Sequence, residues 1–173
     1  MNNYSVGIEI EKKYIIEKPD IQIMRMMESF SESSILQIYL CSDDGITHRV
    51  RRRICGNQTK YIETKKIRID KMSSTEMERE ISKDEFDLLA SNQKSGTTPI
   101  NKIRYVFRYA GQIFEIDVYP EWKSTAIMET ELENREVSVK FPDFIKIVRD
   151  VTGEKRYSNA SMSASFPEES SIL

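Results

Sequence analysis

Apolar and polar residues alternate with a period of two along most of the chain, while the helical period of 3.6 is confined to short pieces. Ile8, Ile10 and Tyr14 alternate with Glu9, Glu11 and Lys13, and Leu36, Ile38 and Leu40 alternate with Gln37 and Tyr39. The same rhythm runs through residues 48–54, 60–69, 76–81, 102–107, 114–118 and 128–132, so the pattern predicts eight strands and a mainly β fold. Asp44-Gly45, Gly56-Asn57 and Gly111-Gln112 supply turn chemistry between strands. On the first strand, Ile8, Ile10 and Tyr14 are expected to pack on the outside.

Three short amphipathic helices interrupt the strands. Asp20 is placed to cap residues 21–30, Ser82 with Glu85 forms a capping box before Phe86, Leu88 and Leu89, and a third helix is expected over 142–148. No internal repeat or second core is visible. The expected organisation is one domain over 1–159, followed by a flexible, Ser-rich tail over 160–173.

Composition adds an anomaly. Of 173 residues, 31% are charged and 39% hydrophobic, an excess of charge over the usual globular balance. Lys and Arg number 26 against 28 Asp and Glu, a net −2, which argues against nucleic acid or an anionic membrane surface as partner. The start of the chain has no secretory pattern and no run approaches the ~20 apolar residues of a membrane span, so a soluble, cytoplasmic protein is expected. Cys41 and Cys55 are far apart and His48 is the single histidine, so a disulfide framework, a Cys/His zinc site and a Ser-His-Asp triad are all poorly supported.

The excess charge is organised. Rows of one sign recur at i, i+2 spacing: Arg49/Arg51/Arg53, Glu76/Glu78/Glu80, Lys102/Arg104, Glu115/Asp117 and Glu129/Glu131. A single row of this kind on a solvated strand face would be unremarkable. Ionisable residues recur at this spacing on six strands, and the five rows of one sign repel themselves unless counter-charges, metal ions or a multiply charged ligand lie close by. A closed eight-stranded barrel with its charged faces inward supplies that geometry, being wide enough for side chains or one small ligand.

The order of these rows resembles the CYTH superfamily, the triphosphate tunnel metalloenzymes. Glu9-Ile10-Glu11-Lys12-Lys13 matches the ExExK opening, and Leu36-Gln37-Ile38-Tyr39-Leu40 resembles the second strand. Arg49-Val50-Arg51, Lys65, Glu78-Arg79-Glu80 and Lys102-Ile103-Arg104-Tyr105 follow in family order. After them come Phe114 to Val118, Met128 to Leu132, Pro142-Asp143-Phe144 and Val151 to Asn159. Two departures stand out: Glu63-Thr64 ahead of Lys65, and Arg52 and Arg53 beyond the RxR pair. The resemblance implies a closed, eight-stranded antiparallel barrel forming a tunnel, with a few short helices outside. It also implies a triphosphate along the axis and Mg²⁺ or Mn²⁺ held by glutamates.

In that scheme Arg49, Arg51 and Arg104 offer planar forks to phosphate oxygens, and Lys13, Lys65 and Lys102 act as point charges, with Lys155 or Arg156 closing one end. Glu9, Glu11, Glu129 and Glu131 are the expected metal ligands, because barrel closure joins the first and last strands. Glu11, Glu131 and Lys13 carry the expected catalytic role, and Glu78, Glu80, Glu115 and Asp117 are supporting acids. Lys12, Arg52, Lys66 and Arg79 have the opposite parity and are expected to face outward. The function so indicated is metal-dependent hydrolysis of inorganic tripolyphosphate or a small organic triphosphate by a monomer or homodimer. A class IV-type adenylate cyclase and a non-catalytic triphosphate binder are the alternatives.

Overall fold

A computed structural model describes residues 4–172. Its strands are β1 (Ser5–Glu17), β2 (Glu28–Leu40), β3 (Ile46–Cys55), β4 (Gln58–Arg68), β5 (Ser73–Ile81), β6 (Ile100–Tyr109), β7 (Gln112–Val118), β8 (Thr125–Glu131) and β9 (Ile147–Asp150). All pairings are antiparallel, in the order β5-β4-β3-β2-β6-β7-β8-β1, and β1 returns to β5 to close an eight-stranded barrel. β9 is an extra strand laid against Tyr14–Ile16 of β1. Eight strands give an interior just wide enough for side chains and one small ligand.

Parity follows from register. Lys13 lies opposite Glu129, Arg104 opposite Asp117, and Arg49 opposite both Tyr39 and Thr64, so these side chains share the inner face. The outer face is apolar and mostly covered by the chain itself. Tyr14, Phe107, Phe114, Ile116 and Met128 pack with α1 (Ile21–Met24) and with Phe141, Phe144 and Ile145. Ile38, Leu40 and Val50 pack under Phe86 and Leu89 of α2 (Lys83–Ala90), which Ser82 caps by accepting from the Glu85 amide.

Three expectations about local structure change. The helix expected over 21–30 is one turn: Asp20 caps it, but β2 begins at Glu28 and Phe30 stacks on Tyr105 as a strand residue. No helix forms over 142–148; Phe144 and Ile145 plug the outer core and the chain then extends into β9, where pairing with β1 outweighs a weak helical pattern. The expected flexible tail is ordered up to Ile172, the last described residue, and Leu173 lies outside the described residues. It forms α3 (Asn159–Ala164) and a short 3-10 turn, burying Met162 and Ile172 with Trp122 and Tyr157. The spaced apolar residues Met162, Phe166 and Ile172 bury enough surface to order a Ser-rich segment.

That segment closes one end of the barrel. Ile15, Tyr39, Ile100 and Ile127 share the parity of the charged rows yet join Met162, Tyr157 and Trp122 in a single apolar cluster. The interior is therefore a charged chamber over an apolar floor. Among the described residues no helix is long and apolar enough to cross a membrane.

Candidate functional site

Two ionic networks line the charged chamber. In the first, Lys13 sits 2.8 Å from Glu129 and 3.7 Å from Glu11. Arg104 reaches Asp117 at 2.7 Å, Glu129 at 3.0 Å and also Glu115, while Lys102 holds Asp117 at 2.5 Å. In the second, Lys66 bridges Glu9 (3.0 Å) and Glu76 (2.9 Å), Arg49 joins Glu76 at 3.3 Å, and Arg51 joins Glu78 at 2.5 Å. Glu78 also accepts from the Thr64 hydroxyl.

Burial sets the protonation of these groups. Desolvation opposes the charge on Lys13, but Glu129 and Glu11 overcome it and keep the ammonium well above its usual range. Lys102 goes the other way: burial and Arg104 pull it down to about 8 despite Asp117. Burial and Arg49 likewise lower Arg51 to about 10. Two cations forced together without sufficient counter-charge mark a place for an anion.

The geometry makes the same point. The Nε atoms of Arg49 and Arg51 are buried without a hydrogen-bond partner, as is Oε1 of Gln37, which lies opposite Arg51 and donates through Nε2 to Tyr39. Buried polar groups normally find partners. Oxygen atoms of an anion between β2 and β3 would satisfy both guanidinium donors.

Most of the expected site residues converge here: Glu9, Glu11, Lys13, Arg49, Arg51, Lys102, Arg104, Glu115, Asp117 and Glu129 face the chamber, with Glu78 beside Arg51. Glu131 lies opposite Glu11 at the exposed rim, and Glu80 is also at the rim, paired with Lys60. Two expected residues lie elsewhere. Lys65 points outward, over the Tyr4 ring and opposite Met77, because Thr64 and Lys66 carry the inward parity of β4. Lys155 is exposed in a separate 3-10 turn, Lys155–Tyr157, just before α3, where the chain caps the apolar floor.

Lys66, expected to face outward, is the residue that sequence reasoning missed, and Glu76 enters that reading only as part of an acidic row, without a role in the site. Tyr61 and Ile62 are both apolar, so alternation alone leaves the parity of β4 undecided. Pairing Lys66 with Glu76, one strand over, decides it. Of the other residues expected to face outward, Arg79 does so, joining His48 and Tyr4 around the buried carboxylate of Glu63.

The expected metal ligands are divided. Glu9 is engaged by Lys66 and Glu129 by Lys13 and Arg104, and among the described residues no three acidic, His or Cys side chains converge closely enough to hold an ion. Glu11 and Glu131 remain, directly opposed across the β1–β8 seam. Partial desolvation and then Glu115, Glu11 and Glu76 push the Glu131 carboxyl up. With Lys13 at 3.7 Å from Glu11 and no ion pair on Glu131 among the described residues, these opposed carboxylates are an oxygen donor set that fits a hard divalent cation, with phosphate and water completing the shell.

No protein-family model and no curated protein matches the sequence. Solved structures do match. The inorganic triphosphatase NE1496 is 26% identical, with a TM-score of 0.57 over 92% of this chain and 96% of that one. The PH1819 protein of Pyrococcus horikoshii OT3 shares the fold at 22% identity and a TM-score of 0.57, over 74% and 80% of the two chains. A candidate adenylate cyclase from Bacillus halodurans shares it at 18% identity and 0.53, over 75% and 82%.

Proposed function

We propose that this chain, which belongs to the CYTH superfamily by its barrel and the order of its motifs, is a metal-dependent triphosphatase. The observation that carries this reading is the pair of buried, unpartnered Arg49 and Arg51 Nε atoms above a closed apolar floor. The likeness to a structure described as an inorganic triphosphatase supports it.

Phosphoryl transfer to water asks for positioning and charge neutralisation more than for a covalent nucleophile. Arg49, Arg51 and Arg104 would fork onto phosphate oxygens, exchanging some contacts with Glu76, Glu78 and Glu115 for contacts with substrate. Lys13, Lys66 and Lys102 would supply compact positive charge to the same chain of phosphates. Asp117 and Glu129 keep Lys102, Arg104 and Lys13 oriented before substrate arrives. Glu11 and Glu131 would hold Mg²⁺ or Mn²⁺, which supplies charge neutralisation and a more acidic water. The closed floor limits entry to the opposite mouth, which suits a short triphosphate.

The test is phosphate release from tripolyphosphate with Mg²⁺ or Mn²⁺, alongside ATP and thiamine triphosphate. Arg51→Ala and Glu11→Ala should abolish it in folded protein. Formation of cyclic AMP from ATP would replace hydrolysis with cyclisation, and tight tripolyphosphate binding without turnover under either metal would make the chain a binder.

A further inference from the structure

β1 outruns its neighbour. Its pairing with β8 runs from Glu11 to Glu17, and the last bond across that seam goes from the Leu132 amide to the Ile10 carbonyl. Residues 5–10 pair with β5 along one edge. Among the described residues, the other edge of 5–9 has no strand partner.

Natural edge strands are blunted by Lys, Pro, bulges or a covering segment. The run Ser5-Val6-Gly7-Ile8-Glu9 contains neither Lys nor Pro, and its first four residues are exposed. Val6 and Ile8 turn outward with 64% and 71% of their surface in water. Across β5, Ile8 continues through Thr75 to Ile67 (39%) of β4, with Ile69 (55%) just past the end of that strand. Most of the remaining outer wall is covered by α1, α2 and residues 139–145. An open edge and an open apolar face thus occur at the same place.

We propose that a second copy of this chain pairs with this edge, antiparallel about a two-fold axis at Gly7, joining the two barrels through one continuous sheet. The Leu132 bond ends the free run at Glu9, so Gly7 is its midpoint. Two-fold pairing there sets Val6 against Ile8 on the outer face, twice, and Ser5 against Glu9 on the inner face. Apolar meets apolar and no like charges oppose, so the edge is complementary to itself. Nothing lies within 4 Å of where a Gly7 Cβ would stand on the inner face, so a side chain introduced there for cross-linking meets no clash within the barrel. The neighbouring Ile67 and Ile69 extend the contact toward the roughly 1,200–2,000 Å² typical of stable interfaces.

Sedimentation of the full chain tests this directly. The wild type should run at twice the chain mass at about 50 µM. Val6→Lys combined with Ile8→Lys should return it to the monomer with unchanged far-UV circular dichroism, because both side chains face water in the single barrel. In a Cys41→Ser, Cys55→Ser background, Gly7→Cys should form a reducible cross-linked dimer, since facing strand positions lie within disulfide reach. A monomeric wild type overturns the proposal. So does a dimer that survives the double Lys substitution, or one that cross-links through Ile69→Cys but not through Gly7→Cys.

Discussion

On the inner face of β1, Glu9, Glu11 and Lys13 are followed, at the next inward position, by Ile15. Across the seam, Glu131 and Glu129 give way in the same step to Ile127. One half of the interior is thus held by ion pairs and the other by an apolar cluster that the C-terminal segment completes. The two halves answer different demands. An apolar floor packs once and excludes water. A chamber of buried charges is costly to desolvate and contributes little net stability, but its donors can be handed to a ligand. The first half stabilises the barrel and the second keeps polar contacts in reserve.

The sharpest way to break this contrast is to orphan the charged half. Asp117 is 1% exposed and holds both Lys102 and Arg104. Asp117→Ala should destabilise the protein by about 3–5 kcal/mol in urea unfolding, because two cations lose a buried partner. Adding Lys102→Met should recover part of that loss, since the damage lies in the unpaired charge. A double variant no more stable than the single one would show that Asp117 contributes by packing.

The apolar half should show no such recovery. Met162, 1% exposed, comes from α3 and packs in the floor cluster. Met162→Ala should cost about 2–4 kcal/mol through the cavity left behind. Tripolyphosphate affinity should stay within about twofold of wild type, provided the floor acts only as a floor. A tenfold loss of affinity would mean that the two halves are coupled.

A smaller effect separates Lys66 from its neighbour. Lys66 faces Glu9 and Glu76 in the chamber, whereas Lys65 lies on the outer face. Lys66→Ala should weaken tripolyphosphate binding, measured calorimetrically, by about 1.5–3 kcal/mol, the worth of a charged hydrogen bond. Lys65→Ala should change it by less than about 0.5 kcal/mol. The reverse order would refute the inward parity of β4.

That pair also shows where the sequence was readable. Strands with one apolar and one charged parity, such as β1, β6 and β8, declared their inward residues, and the eight-strand barrel followed from them. β4 did not, because Tyr61 packs under α2 while Ile62 faces the chamber, so both parities carry an apolar residue. The floor was hidden for a related reason. Ile15, Tyr39 and Ile127 are inward residues that look like ordinary outer-core hydrophobes until the closing segment is in place. Segment 160–172 read as a tail because its serines outnumber its anchors. Its order rests on three spaced apolar residues and one carboxylate, a long-range pattern that local periodicity does not register.

That carboxylate gives the smallest predicted effect and the most local one. Glu169 accepts from the amides of Lys123, Ser124 and Thr125 and from the hydroxyls of Ser124 and Thr125, tying the C-terminal segment to the loop before β8. Desolvation acts to raise its pKa, but these donors, led by the Lys123 and Ser124 amides, hold it down at about 2 against an ordinary 4.5. A depressed carboxyl pKa adds stability above the unfolded value and loses it as pH falls toward the folded one. Closure of the floor should therefore weaken between pH 4.5 and about 2. The chain's single tryptophan, Trp122, reports on it directly, since its indole N–H donates to the Pro167 carbonyl and its ring packs on Phe166. Glu169→Gln should flatten the Trp122 fluorescence titration across that window by removing the titrating group. An unchanged titration in the variant would move the acid sensitivity to the chamber carboxylates Glu76 and Glu129, which are also held below their ordinary range.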